Sequence, residues 1–370
     1  MRSSRGMLTG LLEAESLGAF TFNLKTSNTS GFRATYRAGA RNTRVAFIGD
    51  STTRGQSTGG GASQAVNSWP MQLATLLNAA GINAGANNVW GDGGSWGLGQ
   101  TIANFKTGDS RVTSTAAWAL GSTLSAGGNN LGATAAGTMT FTPQSNVNTA
   151  QVIWRDGALG RDWDHAVDGG AATNVLSTGS TQFGIVPVDL GSVASHALTL
   201  SWDLGTVGIL GIDAYDNTRK EISLWNWGIC GATSANLINN TDTVVGRLAI
   251  LAHASLKPDL AFIEGGLIND WRTSVAVATS KSQLTTLVTT VKTNGGNVIL
   301  CTPTFDASAS GLTASQQIYV DAMYQVANEQ NVGVLDFRKI SPERSDDVHP
   351  TTAGYLAMAT AARSVIQAIV

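Results

Sequence analysis

Cysteine is nearly absent. Cys230 and Cys301 are the only two in 370 residues, too few for a disulfide framework. Cys301 closes the apolar run 297–301 and is expected as a buried structural thiol. Charge is sparse too, at 13% of residues, with 23 basic against 25 acidic side chains and a net charge of −2. No basic run stands out, so nucleic acid and anionic membranes have no electrostatic footprint to meet. No apolar run approaches membrane-spanning length. Residues 8–17 are interrupted by Thr9, Gly10, Glu13 and Glu15, which is no secretory core. The chain therefore stays inside, has lost a leader, or leaves by another route. Its weakly charged, Gly-, Ser-, Thr- and Asn-rich composition resembles exported or particle-surface β-rich proteins. No His/Cys/Asp cluster has zinc-ligand spacing. The glycines at 91–97 lack the spacing and the lysine of a phosphate loop. Neither a metal nor a cofactor is expected.

What is present is core material: 42% apolar residues and 10 Trp. The length predicts two domains. Residues 1–42 form an N-terminal extension with a strand-like alternation at 19–24 and then a polar linker. From Arg44 the rhythm is strand, loop, helix. Val45–Ile48 reads as a buried strand, 71–80 as a helix opened by Pro70 and stopped by Gly81, and 82–90 as the next strand. Between 111 and 221 the pattern changes to short β-branched and aromatic runs at 138–142, 151–154, 183–190, 196–202 and 207–215. Gly, Asn and Asp separate them at the intervals of an all-β sandwich. After Ile222 the alternation of strand and helix returns. Strands are expected at 224–226, 259–263, 297–300 and 332–337, and helices at 243–256, 282–292, 315–328 and 351–370. The prediction is an α/β fold with a doubly wound parallel sheet over 43–105 and 222–370, interrupted by an inserted β-sandwich at 106–221. Exit after the 91–97 loop and return just before Gly231 would put both connections at the carboxyl ends of the strands.

The chemistry-bearing residues cluster on that rim. Ser51 follows the strand 45–48 after Gly49 and Asp50, where open α/β sheets place their ligands. Asn226–Thr233, with Gly228 and Gly231, follows a second strand. Glu264–Trp271, with Asn269 and Asp270, follows a third, and His349 comes after the last. A serine, an imidazole, a carboxylate and N–H donors are the parts needed for acyl transfer. Asp346 or Asp347 can supply the carboxylate, and either can instead start the C-terminal helix. His165, His196 and His253 read as structural, His196 within a β-run and His253 in mid-helix. Asp270 is assigned to the backbone of the nucleophile loop. Trp154, Trp163 and Trp202 fit either a sandwich core or a sugar-stacking surface.

These stretches resemble the blocks of the SGNH, or GDSL-like, hydrolase family. Gly49-Asp50-Ser51 matches the first, with Thr52 in place of Leu. Asn226, Gly228, Gly231 and Thr233 match the second. Gly266, Asn269 and Asp270 approximate the third with one residue too many. Asp346 and His349, followed by Pro350, match the last. The resemblance implies a flavodoxin-like parallel sheet between helix layers, with Ser51 as nucleophile, His349 as base and Asp346 as its orienting carboxylate. It implies an oxyanion hole of the Ser51 and Gly231 N–H groups and the Asn269 amide, with Gly93 or Gly94 as rivals to Gly231. The implied activity is a serine esterase for short, acetyl-like acyl groups on a small molecule or carbohydrate polymer. A general carboxylesterase, lysophospholipase or thioesterase, or a binding protein on a hydrolase scaffold, are the alternatives. A homo-oligomer is left open.

Overall fold

The computed structural model describes residues 17–56, 64–94, 101–115, 118–133, 135–156, 162–180, 183–202, 207–238, 247–304 and 313–370. Seven strands form the main sheet: β1 (Thr21–Phe22), β2 (Thr43–Ile48), β3 (Ala84–Gly85), β4 (Ile222–Asn226), β5 (Leu260–Ile263), β6 (Asn297–Cys301) and β7 (Gly333–Leu335). Their spatial order is β1-β7-β6-β5-β2-β4-β3. All pairings are parallel except β1 with β7. Taken alone, β4-β2-β5-β6-β7 is the flavodoxin-like order, with β2 as the strand beside which the winding reverses.

Each long strand is apolar on both faces, as a sheet covered on both sides requires. Ala46 and Ile48 of β2 face a core shared with Leu284, Leu287, Val288 and Val291 of helix Val277–Thr293 and Met323, Val326 and Ala327 of helix Ala314–Gln330. Val45 and Phe47 face the opposite core, with Leu73 and Leu77 of helix Trp69–Ala79 and Met358, Ala362 and Val365 of helix Thr352–Ile369. The helix Ser30–Ala38 lies where a linker was expected and adds Phe32 to that second core.

The β-rich stretch folds into two antiparallel sheets. One pairs segments 173–175, 163–167, 198–202, 137–141 and 112–114; the other pairs 183–194, 147–155, 207–215, 128–133 and 118–125. Their facing residues share one core, which contains Trp154, Trp163 and Trp202, each at most 2% exposed. The sugar-stacking reading of these tryptophans is therefore wrong: indoles buried on both faces cannot meet a ligand.

The expected strand 82–90 is divided between two sheets. Ala84–Gly85 extends the parallel sheet beside β4, and Asn88–Val89 pairs with Ile212 and Asp213 of the antiparallel one. The return connection differs from expectation. The strand Val207–Tyr215 leads into β4 from its amino end, because a parallel strand must be entered there. The return thus lies at the amino ends of the strands, beside the outgoing segment Asn88–Val89, and not on the rim that carries Ser51. Of the helix expected at 243–256, Arg247–Ala252 is helical, and 243–246 lie outside the described residues. His253 follows that helix, and its ring meets Phe183 edge-on at 4.6 Å between centroids. His196 sits in a turn, bonded to Asp168 Oδ2 and Ser192 O at 2.7 Å each, so it has a carboxylate partner that the sequence pattern did not reveal.

Candidate active site

Ser51 opens a one-turn helix, Ser51–Arg54, directly after β2. Asp50 caps it, with Oδ1 accepting the Thr52 N–H at 3.0 Å. Such a cap satisfies a donor that the helix start leaves free. Gly55 ends the turn at φ 103°, where a Cβ would lie 2.5 Å from Ser68 Cβ. The serine is 5% exposed. The Tyr355 hydroxyl on the last helix donates to Gln56 O at 2.8 Å, tying that helix to the Ser51 loop.

From the other end of the chain, loop 343–351 brings His349 over this turn. Val348 anchors the loop in a small apolar cluster with Ile268, Tyr319 and Val320. Asp346 Oδ1 accepts the N–H groups of Val348 at 2.8 Å and His349 at 2.7 Å. Its Oδ2 stands 2.7 Å from His349 Nδ1. On the far side of the ring, His349 Nε2 lies 2.9 Å from Ser51 Oγ. Partial burial raises the Asp346 pKa, but the bonds from the His349 backbone, the His349 ring and the Val348 N–H outweigh it and pull the carboxyl down to about 2. Asp347 points elsewhere and pairs with Arg272 at 3.0 Å on the surface.

The second loop, after β4, is tied to the first by its backbone: Ile229 N–H donates to Gly49 O at 3.0 Å. Asn226 Oδ1 accepts the Gly228 N–H at 3.0 Å, and its Nδ2 reaches Arg54 O at 3.3 Å. Gly231 has φ +73°, and a Cβ there would meet nothing within 4 Å. The rival Gly94 N–H is already given to Asp92 Oδ1 at 3.1 Å. Asn269 Nδ2 donates to Ala232 O at 3.0 Å and more weakly to Asp50 Oδ2 at 3.3 Å, so it bridges the residue after Gly231 and the residue before Ser51. The extra residue before Asn269 is absorbed by a helix, Leu267–Arg272, that Gly266 opens at φ 69°. Asp270 does not bond the nucleophile loop. It takes the Ser234 N–H at 2.9 Å and the Ser234 hydroxyl at 2.5 Å, clamping the second loop instead.

A residue that the sequence reading passed over lies beneath these loops. Glu264, 2% exposed at the end of β5, contacts the hydroxyls of Thr52 and, at 2.6 Å, Thr53. The signal was a carboxylate directly after the apolar run 260–263. The β module also reaches this rim. Asp92 N–H donates to Asn129 O and Asn129 N–H to Asp92 Oδ1, both at 3.0 Å. The buried Arg247 guanidinium holds Ala126 O, through Nε at 2.7 Å, and Trp227 O at 3.2 Å. A polar hollow of about 260 Å³, lined by Arg44, Gln151, Asp213 and Tyr215 among others, lies at the amino ends of β2 and β4. It holds no nucleophile–base pair; the hydroxyl–imidazole–carboxylate line is on the opposite rim. Among the described residues no His/Cys/Asp/Glu group is arranged to hold a metal ion, and no helix is long and apolar enough to cross a membrane.

Residues 212–357 match the model of the GDSL-like Lipase/Acylhydrolase family. A search of curated proteins by sequence found no match. Among solved structures, the chain is similar to a peptidoglycan O-acetylesterase at 16% identity and a TM-score of 0.66, over 94% of this chain and 98% of the other. That likeness includes both the parallel sheet and the β module. A family two carbohydrate esterase from Clostridium thermocellum, seen with cellohexaose, aligns at 14% identity and a TM-score of 0.33, over 65% of this chain and 94% of that one.

Proposed function

We propose that this chain, whose residues 212–357 match the GDSL-like lipase/acylhydrolase model, is a serine hydrolase that removes acetyl groups from a carbohydrate polymer. The observation that carries the mechanism is the line Ser51 Oγ, His349 Nε2, His349 Nδ1, Asp346 Oδ2, with its contacts of 2.9 and 2.7 Å. Ser51 Oγ attacks the ester carbonyl while His349 Nε2 takes its proton. Asp346, ionised at any working pH, fixes the ring tautomer and stabilises the imidazolium. The carbonyl oxygen becomes an oxyanion between the Ser51 and Gly231 N–H groups and the Asn269 amide. Asn269 can serve because the oxyanion displaces Asp50 Oδ2, the weaker of its two acceptors. His349 then returns the proton to the leaving sugar alkoxide. Water, deprotonated by the same imidazole, cleaves acyl-Ser51 and releases acetate.

Two features support a small acyl group on a large alcohol. The 126–129 turn is held at this rim by Asp92 and Arg247, and on this reading it serves as a wall that limits acyl length. The fold is shared, module included, with a protein described as a peptidoglycan O-acetylesterase. The test is kcat/KM over an acyl-length series of p-nitrophenyl esters, then acetate release from acetylated peptidoglycan and acetylated xylan. Acetyl should exceed chains of eight or more carbons, because specificity is a ratio of these values. A maximum at long chains would replace this reading with a lipase-like one.

A further inference from the structure

A Cβ at Gly49 would lie 2.1 Å from Thr53 Oγ1 and 2.7 Å from Glu264 Oε2, so any side chain there would force Thr53 and Glu264 to move. The chain thus presses a second carboxyl, Glu264, against the loop that already buries Asp50, and both side chains are almost wholly excluded from solvent. Thr52 Oγ1 contacts Glu264 Oε1 and, at 3.1 Å, Asp50 Oδ1. Thr53 Oγ1 lies 2.6 Å from Glu264 Oε2. These are three oxygen–oxygen contacts, and a hydroxyl donates only one proton. Two threonines therefore leave one contact without a proton, which a carboxyl must supply.

The geometry decides which carboxyl. Asp50 accepts the Thr52 N–H at 3.0 Å and the Asn269 amide at 3.3 Å, two fixed donors that favour its anion. Glu264 has one fixed donor, the Asp50 backbone N–H, against two for Asp50, and the side chains meeting it are hydroxyls, which serve equally as acceptors. The titratable groups that bear on Glu264 from the elements around it are Asp50, Cys301 at the end of β6 and Tyr355 on the last helix, and none is a cation. Burial raises Asp50 too, but its bonds from Thr52 oppose this, as does His349 whenever that ring takes up a proton. Burial first, and then the Asp50 charge, push Glu264 upward.

We propose that Glu264 is a positioning residue of this site. As a neutral acid it donates to Thr52 Oγ1, turns the Thr52 proton onto Asp50 Oδ1, and so holds the Asp50 carboxylate in register with the Asn269 amide. This rests on the reading of Asn269 as an oxyanion donor, and keeping a buried acid neutral so that it can donate has physical precedent. When Glu264 ionises at alkaline pH, the Thr52 proton is drawn back to it and two like charges face each other across the loop. Asn269 then loses its alignment.

Glu264→Gln keeps one donor and one acceptor but cannot ionise. Infrared difference spectroscopy at neutral pH, on wild type against this variant, should show a protonated carboxyl band that the variant lacks. This readout needs no turnover, so it decides the proton even if ester hydrolysis is absent and the functional reading fails. With p-nitrophenyl acetate, the wild-type kcat should fall on the alkaline side, and the Gln variant should keep its plateau to higher pH. Thr52→Val leaves both carboxyls in place, should lower kcat roughly tenfold with KM held, and should be rescued by Thr52→Ser. This second arm carries the test if Glu264→Gln does not fold. A missing carboxyl band, an identical alkaline limb in Glu264→Gln, or an unchanged kcat in Thr52→Val overturns the proposal.

Discussion

Ser51 Oγ and His349 Nε2 lie 2.9 Å apart across 298 residues of chain. The two ends of that span are fixed independently. Ser51 is held by its short helix on β2, and His349 by the Asp346 turn and the buried Val348. The whole β module and most of the parallel sheet fold between them, so their meeting depends on correct assembly of the main sheet.

If Ser51 is the nucleophile as proposed, replacing it by Ala should reduce ester turnover at least about 10³-fold, while thermal unfolding stays near wild type. A fluorophosphonate should label the wild type at Ser51 and leave the variant unlabelled. Wild-type turnover in Ser51→Ala would end the hydrolase mechanism given above.

The two adjacent aspartates offer a sharper comparison. Asp346→Asn should cost roughly 10³–10⁴ in kcat by presenting the wrong partner to the ring. Asp347→Asn breaks only a surface pair with Arg272, worth about 0–1 kcal/mol of stability, and should leave kcat unchanged. Equal effects at the two positions would mean that the Asp-x-x-His spacing had been misread.

The strands β2, β4, β5 and β6 were legible because buried parallel strands read as continuous apolar runs. Ser51, Asp346 and His349 were legible because each sits in a short local motif. Long-range consequences were not legible. That Ala84–Gly85 and Asn88–Val89 join different sheets depends on partners more than a hundred residues away. The burial of Trp154 and Trp163 follows from their packing edge to face with centroids 5.9 Å apart, which no spacing rule encodes. Glu264 looked like an ordinary strand end, since its meaning lies in two hydroxyls from another loop.

The proposed oxyanion donors predict a split between binding and rate. Asn269→Ala should lower kcat by about 10²–10³ with little change in KM, because the amide strengthens its bond only as charge develops. Gly231→Ala has open space for its methyl group but a left-handed backbone, which costs about 1–2 kcal/mol. It should lower stability modestly and kcat more than Gly94→Ala does, since the Gly94 N–H is already committed to Asp92. A greater kcat loss at Gly94 would move the donor to that loop.

The junction at the other end of the sheet should make stability fall as pH rises. Burial pushes Asp213 up to about 7 against the weaker pull of Trp225 and Arg44. Burial also pushes Glu221 up to about 7, opposed by Arg219 and reinforced by Asp213 and Asp216. Both folded values exceed the unfolded ones, so between about pH 4 and 7 the native state binds more protons than the unfolded chain. The stabilising contribution is complete below about pH 4 and is lost as pH climbs through 7. Each group should contribute roughly 1–3 kcal/mol to that loss. Urea midpoints for wild type, Asp213→Asn and Glu221→Gln at pH 5 and pH 8 provide the measurement. The wild type should be the weaker at pH 8, and each substitution should narrow the difference between the two pH values. An unaltered difference in both variants would mean that neither carboxyl stays protonated inside the folded protein.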